Sequence, residues 1–345
     1  MSKSYSVFVL RGQPFHNAHQ LTLREMLKKT AEVIIVIGSY RTPVTIKNPW
    51  KSEVRADMIR GSMTAEENAR IHIVPIRDFL YSIHTWVTSL QNIVTAIAGD
   101  SDDITLYGHY KDDSSFYLNL FPQWKRAIMP NIKAEGKSVD GTRVRELMYL
   151  NDATWQSCVP EYVASVIQKY MKTDEYQRMV REYNWVIDYK KPYEKLPYKP
   201  HFITTDAVVV HAGHVLLVVR GREPSKGYFA LPGGFLNQME TIQQGTIREL
   251  KEETKIDVPS IELVKGIVET HVFDHPLRSL RGRIVTHASL IVLDYNKPLP
   301  KVKGADDADQ ALWMPFNELA LHEETFMDDH IHIIGYFMSG KLYNR

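Results

Sequence analysis

The stretch from Gly234 to Ile256 places three glutamates at distances that constrain its fold. It reads GFLNQMETIQQGTIRELKEETKI, with Glu249, Glu252 and Glu253 at positions i, i+3 and i+4. On an α-helix this spacing puts all three carboxylates on one face, where their negative charges repel. Divalent cations relieve the repulsion, and hard oxygen ligands suit Mg²⁺ or Mn²⁺. The stretch predicts a metal-binding helix, with a solvated acidic helix face as the alternative.

The residues around these glutamates add further fixed distances. Pro232-Gly233-Gly234 follows a β-rich run, Glu240 stands six residues after Gly234, and Arg248 precedes Glu252 by four residues. An arginine at that helical distance can hold a carboxylate in position. Because chance rarely produces all of these distances together, they favour the metal-binding helix over the solvated face.

This segment resembles the Nudix box, the motif of a family that hydrolyses nucleoside diphosphates linked to another group. The resemblance implies an α/β/α sandwich with a mixed sheet. It implies metal ligands at Glu249, Glu252 and Glu253, a catalytic role for Glu253 as well, and places in the box for Gly234, Glu240 and Arg248. Lys255 stands where the family has Gly, so the sequence leaves open how the helix ends.

Composition limits the class of protein. The chain has 345 residues, of which 44% are hydrophobic, enough for two domains with a core each. Lys and Arg (42) nearly balance Asp and Glu (41), which gives no reason to expect nucleic acid or an anionic membrane as partner. The single cysteine, Cys158, fits a reducing compartment. We expect a cytoplasmic, soluble protein without a membrane span, and the sequence leaves a homo-oligomer open.

Three regions follow along the chain. We predict an N-terminal domain at residues 1–172, a linker at 173–200 and a C-terminal domain at 201–345. The linker is rich in Lys, Tyr and Pro, and its prolines at 192, 197 and 200 favour an extended connector. After it, residues 202–210 and 214–219 read as two strands of a β-hairpin.

The N-terminus reads as a β-loop-α-β unit. A strand at residues 6–10 runs through Arg11 to His19 into a helical pattern at 20–29, and a second strand at 33–37 ends at Gly38-Ser39. The start of a helix after a strand favours phosphate, because free backbone N–H groups and the helix dipole point into it. His16 and His19 lie three apart at this turn and are placed to donate hydrogen bonds to phosphoryl oxygens.

This stretch resembles the nucleotidylyltransferase superfamily, whose signature is His-x-Gly-His, and within it the archaeal-type nicotinamide-mononucleotide (NMN) adenylyltransferases. Ala18 replaces the signature Gly and narrows the approach of ATP to the backbone. The resemblance implies a doubly wound, Rossmann-like parallel sheet. It implies catalytic roles for His16, His19 and Arg145, and substrate-binding roles for Arg11, Gln13, Phe15, Ser39, Asn48, Trp86 and Thr142.

Two later segments resemble the same family in the expected order. Residues 138–145 resemble its Ile-Ser-x-Thr-x-x-Arg segment, in which the Thr and the Arg hold the triphosphate, although Asp140 stands where the family has Ser or Tyr. Asn48-Pro49-Trp50, followed by Glu53 and Arg55, resembles its Asn-Pro-Phe-x-x-x-Glu-Arg segment, with one inserted residue between the Glu and the Arg. Trp86 lies where the family has an aromatic that stacks on nicotinamide, and a plain core or surface aromatic is the alternative.

In the C-terminal domain, residues 273–283 look like a segment of Nudix proteins that handle ADP-ribose. Its arginines, Arg278, Arg281 and Arg283, could reach the diphosphate or the terminal ribose, with a basic loop as the alternative. Asp306, Asp307 and Asp309 could supply a catalytic base or only solubility.

The two resemblances together imply an enzyme of NAD metabolism with ATP, NMN and ADP-ribose as substrates. The first domain would join NMN to the adenylyl group of ATP, and the second would hydrolyse ADP-ribose with Mg²⁺ or Mn²⁺. Other hypotheses are a Nudix domain that binds ADP-ribose as a sensor or cleaves another nucleoside diphosphate derivative, and a first domain acting on a pantetheine or glycerol phosphate. A nucleic-acid-binding role lacks a basic stripe.

Overall fold

The chain forms two compact units, Met1–Val180 and Arg181–Arg345. The computed structural model describes residues 3–108, 113–129, 133–134, 137–138 and 140–339. Within these residues, no helix combines the length and the apolar character that crossing a membrane requires. The division at Val180 falls inside the segment 173–200, and the domain boundaries proposed above stay a prediction.

The first unit contains a five-stranded parallel sheet. Its strands are β1 (Tyr5–Leu10), β2 (Glu32–Ile37), β3 (Ile71–Pro75), β4 (Ile104–Gly108) and β5 (Lys125–Ile128), in the order β3-β2-β1-β4-β5. Its helices are α1 (Asn17–Lys29), α2 (Ser52–Gly61), α3 (Ala65–Asn68), α4 (Ile83–Ala98), α5 (Gly141–Tyr149) and α6 (Glu161–Tyr170), and a further helix, α7 (Asp174–Glu194), crosses the division at Val180. Short strands β6 (Lys133–Ala134) and β7 (Lys137–Ser138) pair with each other, and 3₁₀ helices lie at Asp113–Asn119 and Ala153–Cys158. The predicted doubly wound parallel sheet is confirmed.

The central strands β1 and β2 are mostly apolar because both faces of the sheet are covered. Val7 of β1 and Ile34 of β2 are fully buried and share a core with Leu90 and Val94 of α4. The strand order reverses between β1 and β4. In sheets of this kind ligands bind outside the carboxyl ends of the strands at that reversal, which is where β1 runs into His16.

The expected extended connector is wrong for most of its length, because residues 174–194 form helix α7. Tyr176 and Met179, three residues apart, are buried on one face of the helix. Trp185 and Tyr189, four residues apart, stack their rings at 5.2 Å. Pro192 lies in the last turn of α7. Its missing N–H forgoes one helical hydrogen bond there, but only two residues of the helix follow, so the proline ends the helix and does not prevent it.

The second unit contains a mixed sheet. Its strands are β8 (His201–His211), β9 (His214–Arg220), β10 (Phe229–Ala230), β11 (Gly233–Phe235), β12 (Ile267–Phe273), β13 (Arg283–Val292) and β14 (Ala308–Pro315). The main order is β10-β9-β8-β13-β12, with β11 beside β8 and β14 beside β9. β8 and β13 run parallel and the other pairs antiparallel. The predicted mixed sheet and the β8–β9 hairpin are confirmed.

In the part of this unit that the structure describes, the sheet is accompanied by α8 (Ile242–Thr254), α9 (Ser260–Lys265) and α10 (His330–Met338), with 3₁₀ helices at Phe316–Leu321 and Glu323–Thr325. α8 begins with a reciprocal capping box between Thr241 and Gln244. Its apolar residues Ile247 and Leu250 pack into the core with Ala207 of β8. That packing leaves the glutamates of α8 on the remaining faces of the helix.

The end of α8 shows how the helix terminates without the usual glycine. Lys255 adopts the left-handed conformation itself, at φ 45° and ψ 33°. Two backbone N–H groups of a later loop satisfy the last carbonyls: Ala305 donates to Glu253 at 3.0 Å and Lys303 donates to Thr254 at 2.8 Å. The exit that the sequence left open is therefore made by Lys255 and this loop together.

Candidate active sites

The turn after β1 is held through Gln13, which is 4% exposed. Its side-chain amide donates to the carbonyl oxygen of Trp50 at 2.8 Å and accepts from the N–H of Trp50 at 3.1 Å. Trp50 is itself buried, with its ring edge against Tyr170 at 5.5 Å. Gln13 therefore fixes the loop to the Asn48-Pro49-Trp50 segment, in which the backbone N–H of Asn48 donates to the carbonyl oxygen of Thr45 at 3.0 Å.

His16 and His19 lie together at the start of α1. Their rings stack with centroids 3.6 Å apart and an angle of 20° between planes. Phe15 is 1% exposed, and its ring stacks on that of His19 with the centroids 5.7 Å apart. Ala18 is buried beside them, so the methyl group that replaces the signature glycine's hydrogen is packed inside the protein. The structure thus brings the two predicted histidines into direct contact.

Arg145 of α5 reaches the same turn. One Nη1–H donates to the backbone carbonyl of Gln13, and Nη2 donates to Thr142 Oγ1 at 3.3 Å. A Cβ at Gly141 would come within 2.7 Å of the Gln13 carbonyl oxygen, so only glycine lets the helix start this close. Burial lowers the pKa of Arg145, although a guanidinium stays charged at neutral pH.

Asp140, the departure from the family pattern, has a structural explanation. Its carboxylate accepts a hydrogen bond from the backbone N–H of Arg143 at 2.9 Å and caps α5. Aspartate is among the preferred residues at that position, so the capping role was readable from the sequence. Its neighbour Val139 lies outside the described residues.

Arg55 of α2 is a further residue of this site. The sequence included it in the Asn-Pro-Phe-x-x-x-Glu-Arg resemblance but did not indicate its role. It is 1% exposed and donates from Nη1 to the carbonyl oxygens of Arg11 (2.6 Å) and Gly38 (2.7 Å), and from Nη2 to that of Ser39 (3.0 Å). Burial lowers the pKa of Arg55 to about 10. It joins the carboxyl ends of β1 and β2, while the side chain of Arg11 remains exposed.

Ser39 is held in the left-handed conformation, at φ 54°, by a carboxylate that the sequence did not single out. Its N–H donates to Asp78 Oδ1 at 3.1 Å and its hydroxyl donates to Oδ2 at 2.7 Å.

Trp86 contacts aromatic residues of the core. Its ring packs edge-on against those of Tyr117 (centroids 5.5 Å apart) and Phe121 (6.2 Å). It is only partly buried, so the core contact and a stacking role are compatible.

The second unit has a pocket, open to solvent, between the segment Leu231–Phe235 of the Nudix box and the start of α10. Its lining includes five of the residues singled out in the sequence, Gly234, Glu253, Arg278, Arg281 and Asp307. It also includes residues that sequence reasoning missed, among them Asp206, Arg220, Phe235 and His330. Only Asp206 carried a signal, as a lone acid in the buried run Thr204–Val210.

Glu253 is the most buried of the three α8 glutamates, at 7% exposure. Its Oε2 accepts a hydrogen bond from the N–H of Gly233 at 3.0 Å. Burial raises the pKa of Glu253 to about 8, and the nearby charges of Glu249 and Asp206 act in the same direction. A carboxyl in this state takes up a cation readily, because the cation supplies the charge compensation that burial removes.

Arg248 connects the other acidic residues of the box. It pairs with Glu240 through Nη2 and Nε at 2.6 and 2.9 Å, and its Nη1 donates to Glu249 at 2.8 Å and Glu252 at 2.9 Å. The hydrogen bonds from Arg248 lower the pKa of Glu240 to about 2. The bidentate contact assigns Glu240 to positioning Arg248.

The predicted metal ligands are on one helix but are not gathered around one point. Within the ranges that the structure describes, no group of three or more His, Cys, Asp or Glu side chains is arranged to hold a metal ion. Glu249 and Glu252 face Arg248, whereas Glu253 faces Gly233. The residue types fit a hard divalent cation, since three carboxylates supply oxygen donors. Glycine at position 234 also leaves the space beside the Glu249 carboxylate open, because a Cβ at Gly234 would lie 2.5 Å from that carboxylate.

The three arginines of the predicted ADP-ribose segment differ in their surroundings. Arg278 is buried and pairs in a two-pronged contact with Asp329, at 3.0 and 2.8 Å. Arg281 lies over the half-exposed ring of Phe235, 5.5 Å from its centre. Arg283 pairs with Asp274, the Nη2–Oδ2 distance being 3.7 Å, and is not among the residues lining the pocket.

Comparison with known families divides the chain in the same order. A family model described as Cytidylyltransferase-like matches residues 12–112, and one described as NUDIX domain matches residues 200–334. A nicotinamide/nicotinic acid mononucleotide adenylyltransferase of Acinetobacter baylyi is 36% identical over 179 residues, 52% of this chain and 93% of that protein. An ADP-ribose pyrophosphatase of Methanocaldococcus jannaschii is 31% identical over 132 residues, 37% of this chain and 72% of that protein.

Solved structures extend the likeness over nearly the whole chain. A bifunctional NMN adenylyltransferase/ADP ribose pyrophosphatase from Francisella tularensis matches with a TM-score of 0.92 and 34% identity, covering 98% of this chain and 99% of that one. A second structure described in the same words, complexed with AMP and a manganese ion, matches with a TM-score of 0.91 and 34% identity, covering 97% and 98%. With the Nudix match, the bound manganese supports use of a divalent metal. The chain belongs to the family of bifunctional NMN adenylyltransferases and ADP-ribose pyrophosphatases.

Proposed function

We propose that the first unit transfers the adenylyl group of ATP to NMN, giving NAD and pyrophosphate, and that the second hydrolyses ADP-ribose to AMP and ribose 5-phosphate. One observation carries the proposal: each unit contains the residue set of one activity, and relatives along nearly the full chain are described with both. The substrates are small nucleotides. Absence of a nucleic-acid partner and the oligomeric state stay predictions.

In the first unit the reaction needs positioning and charge stabilisation more than covalent catalysis. The 5′-phosphate of NMN attacks the α-phosphorus of ATP, and the bond to the leaving pyrophosphate breaks. The stacked rings of His16 and His19 stand at the start of α1, suited to donate to the phosphoryl oxygens as charge develops there. Arg145 and Thr142, at the start of α5 and in contact with the same turn, would hold the triphosphate.

The remaining predicted residues of this unit would form the walls of the nucleotide site. Their contacts indicate which act directly: Gln13 and Phe15 are buried and support the loop, whereas Arg11 is exposed beside it. We assign substrate contact to Arg11, Asn48 and Trp86. We assign support of the site to Gln13, Phe15, Ser39, Arg55 and Asp78, because Ser39 is buried like Gln13 and is bonded to Asp78.

In the second unit Glu249, Glu252 and Glu253 would hold Mg²⁺. When bound, the cation would neutralise charge on the diphosphate and lower the pKa of a bound water, which is the nucleophile of the hydrolysis. The chain's own residues do the rest. The guanidinium groups of Arg220 and Arg278 line the pocket and attract the diphosphate. The Phe235–Arg281 pair offers a flat surface on which a nucleotide base stacks.

A regulatory module that binds ADP-ribose without cleaving it is the main alternative for the second unit. Three carboxylates on one helix cost stability unless a metal is used, and all three are present in α8, so hydrolysis is favoured. A hydrolase of another nucleoside diphosphate derivative would keep the same glutamates and differ at Phe235 and Arg281.

A chromatographic product assay of the whole protein tests both halves. One reaction contains NMN, ATP and Mg²⁺, and the other contains ADP-ribose and Mg²⁺, each with an EDTA control. We expect NAD in the first and AMP with ribose 5-phosphate in the second. Absence of NAD would overturn the assignment of the first unit, and ADP-ribose that is bound but not cleaved would turn the second unit into a sensor.

A further inference from the structure

His330, the first residue of α10, has two ring nitrogens in different surroundings. The residue is 7% exposed and lines the pocket of the second unit. Its Nδ1 accepts a hydrogen bond from the backbone N–H of Leu231 at 2.8 Å. A nitrogen that accepts from an N–H carries no proton, so the neutral ring carries its proton on Nε2.

The bond to Leu231 continues a main-chain pairing. Phe229 and Phe326 form a parallel β-bridge, and the N–H of Met327 donates to the carbonyl oxygen of Phe229 at 2.8 Å. His330 then takes the place of the backbone as the acceptor for Leu231. The segment before α10 is thereby joined to the strand that leads into the Nudix-box loop.

The segment after Leu231 contacts helix α8, which carries the glutamates of the Nudix box. Two residues after Leu231, the N–H of Gly233 donates to the Glu253 carboxylate at 3.0 Å. Between them, the carbonyl oxygen of Pro232 accepts from the N–H of Ala207 at 2.8 Å. The loop is therefore fixed at three successive residues, and His330 supplies the first of these contacts.

The other ring nitrogen of His330, Nε2, is available to a ligand in the pocket. Among the described residues, Leu231 is the one hydrogen-bond partner of the His330 side chain. Two charged residues of the same pocket are bonded to other side chains: Asp206 accepts from Thr286 at 2.5 Å, and Arg278 is paired with Asp329. Burial lowers the pKa of His330, although the charges of Asp206 and Asp329 oppose this. The ring thus offers a neutral N–H donor.

We propose that His330 acts at both ends: Nδ1 positions the Leu231–Gly234 loop, and Nε2 donates a hydrogen bond to a phosphate or ribose oxygen of the nucleoside diphosphate substrate. This rests on the proposed hydrolase function and names a substrate-binding residue for it. A donor of this kind also favours substrates that carry an oxygen at that point, because its N–H would otherwise be buried unpaired.

Two substitutions separate the two ends. In His330→Asn, the amide oxygen stands near the position of Nδ1 and accepts from Leu231, but no donor remains at Nε2. In His330→Gln, the longer amide places an N–H near Nε2 and leaves Leu231 without its acceptor. His201→Asn, at an exposed site that does not line the pocket, is the matched control.

The measurements are the Kd for ADP-ribose and for ADP by calorimetry in EDTA, and kcat and KM for ADP-ribose cleavage in Mg²⁺. For the Asn variant we expect Kd and KM to rise roughly tenfold with kcat retained, the loss of one hydrogen bond. For the Gln variant we expect the reverse, a lower kcat with Kd retained. If ADP binding weakens as much as ADP-ribose binding, the acceptor oxygen is on the ADP part; if only ADP-ribose binding weakens, it is on the terminal ribose.

The outcomes that overturn the proposal are distinct. An Asn variant with the Kd and KM of the wild type would show that Nε2 does not contact the substrate, and a Gln variant with wild-type kcat would show that the loop contact is dispensable. Melting curves matching those of the wild type show that the variants are folded. A wild-type protein that neither binds nor cleaves ADP-ribose would overturn the proposed function, and this role with it.

Discussion

The two sites of this chain are organised by different kinds of contact. In the first unit, Gln13, Arg55 and Arg145 all direct their side chains to main-chain groups of loops that meet at the sheet edge. In the second, Arg248 is bonded chiefly to carboxylates, those of Glu240, Glu249 and Glu252. The first arrangement fixes the backbone, and the second fixes charges.

The difference bears on what each site needs from its ligands. A loop fixed by hydrogen bonds to its backbone has its shape before substrate arrives, so binding does not have to order it. The α8 glutamates are instead divided between Arg248 and Gly233. A divalent cation would bring the carboxylates of Glu249 and Glu252 towards that of Glu253, and the contact between Arg248 and Glu240 would not need to change. We therefore expect the hydrolase site to depend on metal for its shape.

The largest expected effect comes from Glu253→Gln. The substitution removes the negative charge of a proposed metal ligand while keeping the shape of the side chain, so ADP-ribose cleavage should fall by a factor on the order of a thousand. NAD synthesis should remain unchanged because its residues lie in the other unit. Steady-state rates of both reactions on the same preparation provide the measurement.

The control for this substitution is Glu262→Gln on α9. Glu262 pairs with Lys297 at 2.7 Å on the surface and is not a pocket residue, so both activities should persist. Equal loss of NAD synthesis and ADP-ribose cleavage in Glu253→Gln would contradict the independence of the two sites.

The converse substitution, His19→Ala, should affect only the first unit. It removes a donor to the transferring phosphoryl group, and NAD synthesis should fall on the order of a hundredfold while ADP-ribose cleavage continues. His72→Ala is a suitable control. His72 lies on β3 and contacts Glu32 of β2 at 2.9 Å, and not the turn after β1. NAD synthesis at the wild-type rate in His19→Ala would remove His19 from the site.

The same contrast explains how much of the molecule the sequence could predict. The glutamates of α8 and the paired histidines of α1 are close in sequence, so helical periodicity places them together without knowledge of the fold. The parallel and mixed sheets followed similarly from local strand patterns and from family resemblance. Both classes of prediction depend on short distances along the chain.

The contacts that were missed join residues that are far apart along the chain. Arg55 reaches Arg11 over 44 residues, and His330 reaches Leu231 over 99. Neither has a local spacing that shows its partner, because the partner is a backbone group and any residue could supply it. Helix α7 was missed because its composition is that of a linker. Burial of its apolar residues stabilises the helix in spite of that composition.

Arg55→Leu tests how far the first site depends on its backbone contacts. The substitution keeps an apolar stem but leaves the carbonyl oxygens of Arg11, Gly38 and Ser39 without their shared donor. We expect the free energy of unfolding of the first unit to fall by about 3 kcal/mol, with the KM for ATP raised. Arg55→Lys should recover part of this stability because it keeps the charge but loses the planar fork.

Chemical denaturation, followed by the fluorescence of the chain, and NAD synthesis kinetics measure these two effects. Wild-type stability together with wild-type KM in Arg55→Leu would mean that the carbonyl oxygens find other donors. The loops of the first site would then be fixed by Gln13 and Arg145 without Arg55.

The smallest expected effect concerns the helix exit beside the hydrolase site. Lys255→Gly should stabilise the second unit by roughly 1 kcal/mol, because glycine adopts the left-handed conformation without the clash of a Cβ. Lys251→Gly, in the last turn of α8, should destabilise it by a similar amount, since glycine is unfavourable inside a helix. ADP-ribose cleavage should be unchanged in Lys255→Gly because the N–H groups of Lys303 and Ala305 still cap α8. Thermal unfolding of the two variants decides the matter: a Lys255→Gly protein less stable than the wild type would mean that the lysine side chain itself stabilises the exit, and that this departure from the family pattern has a function of its own.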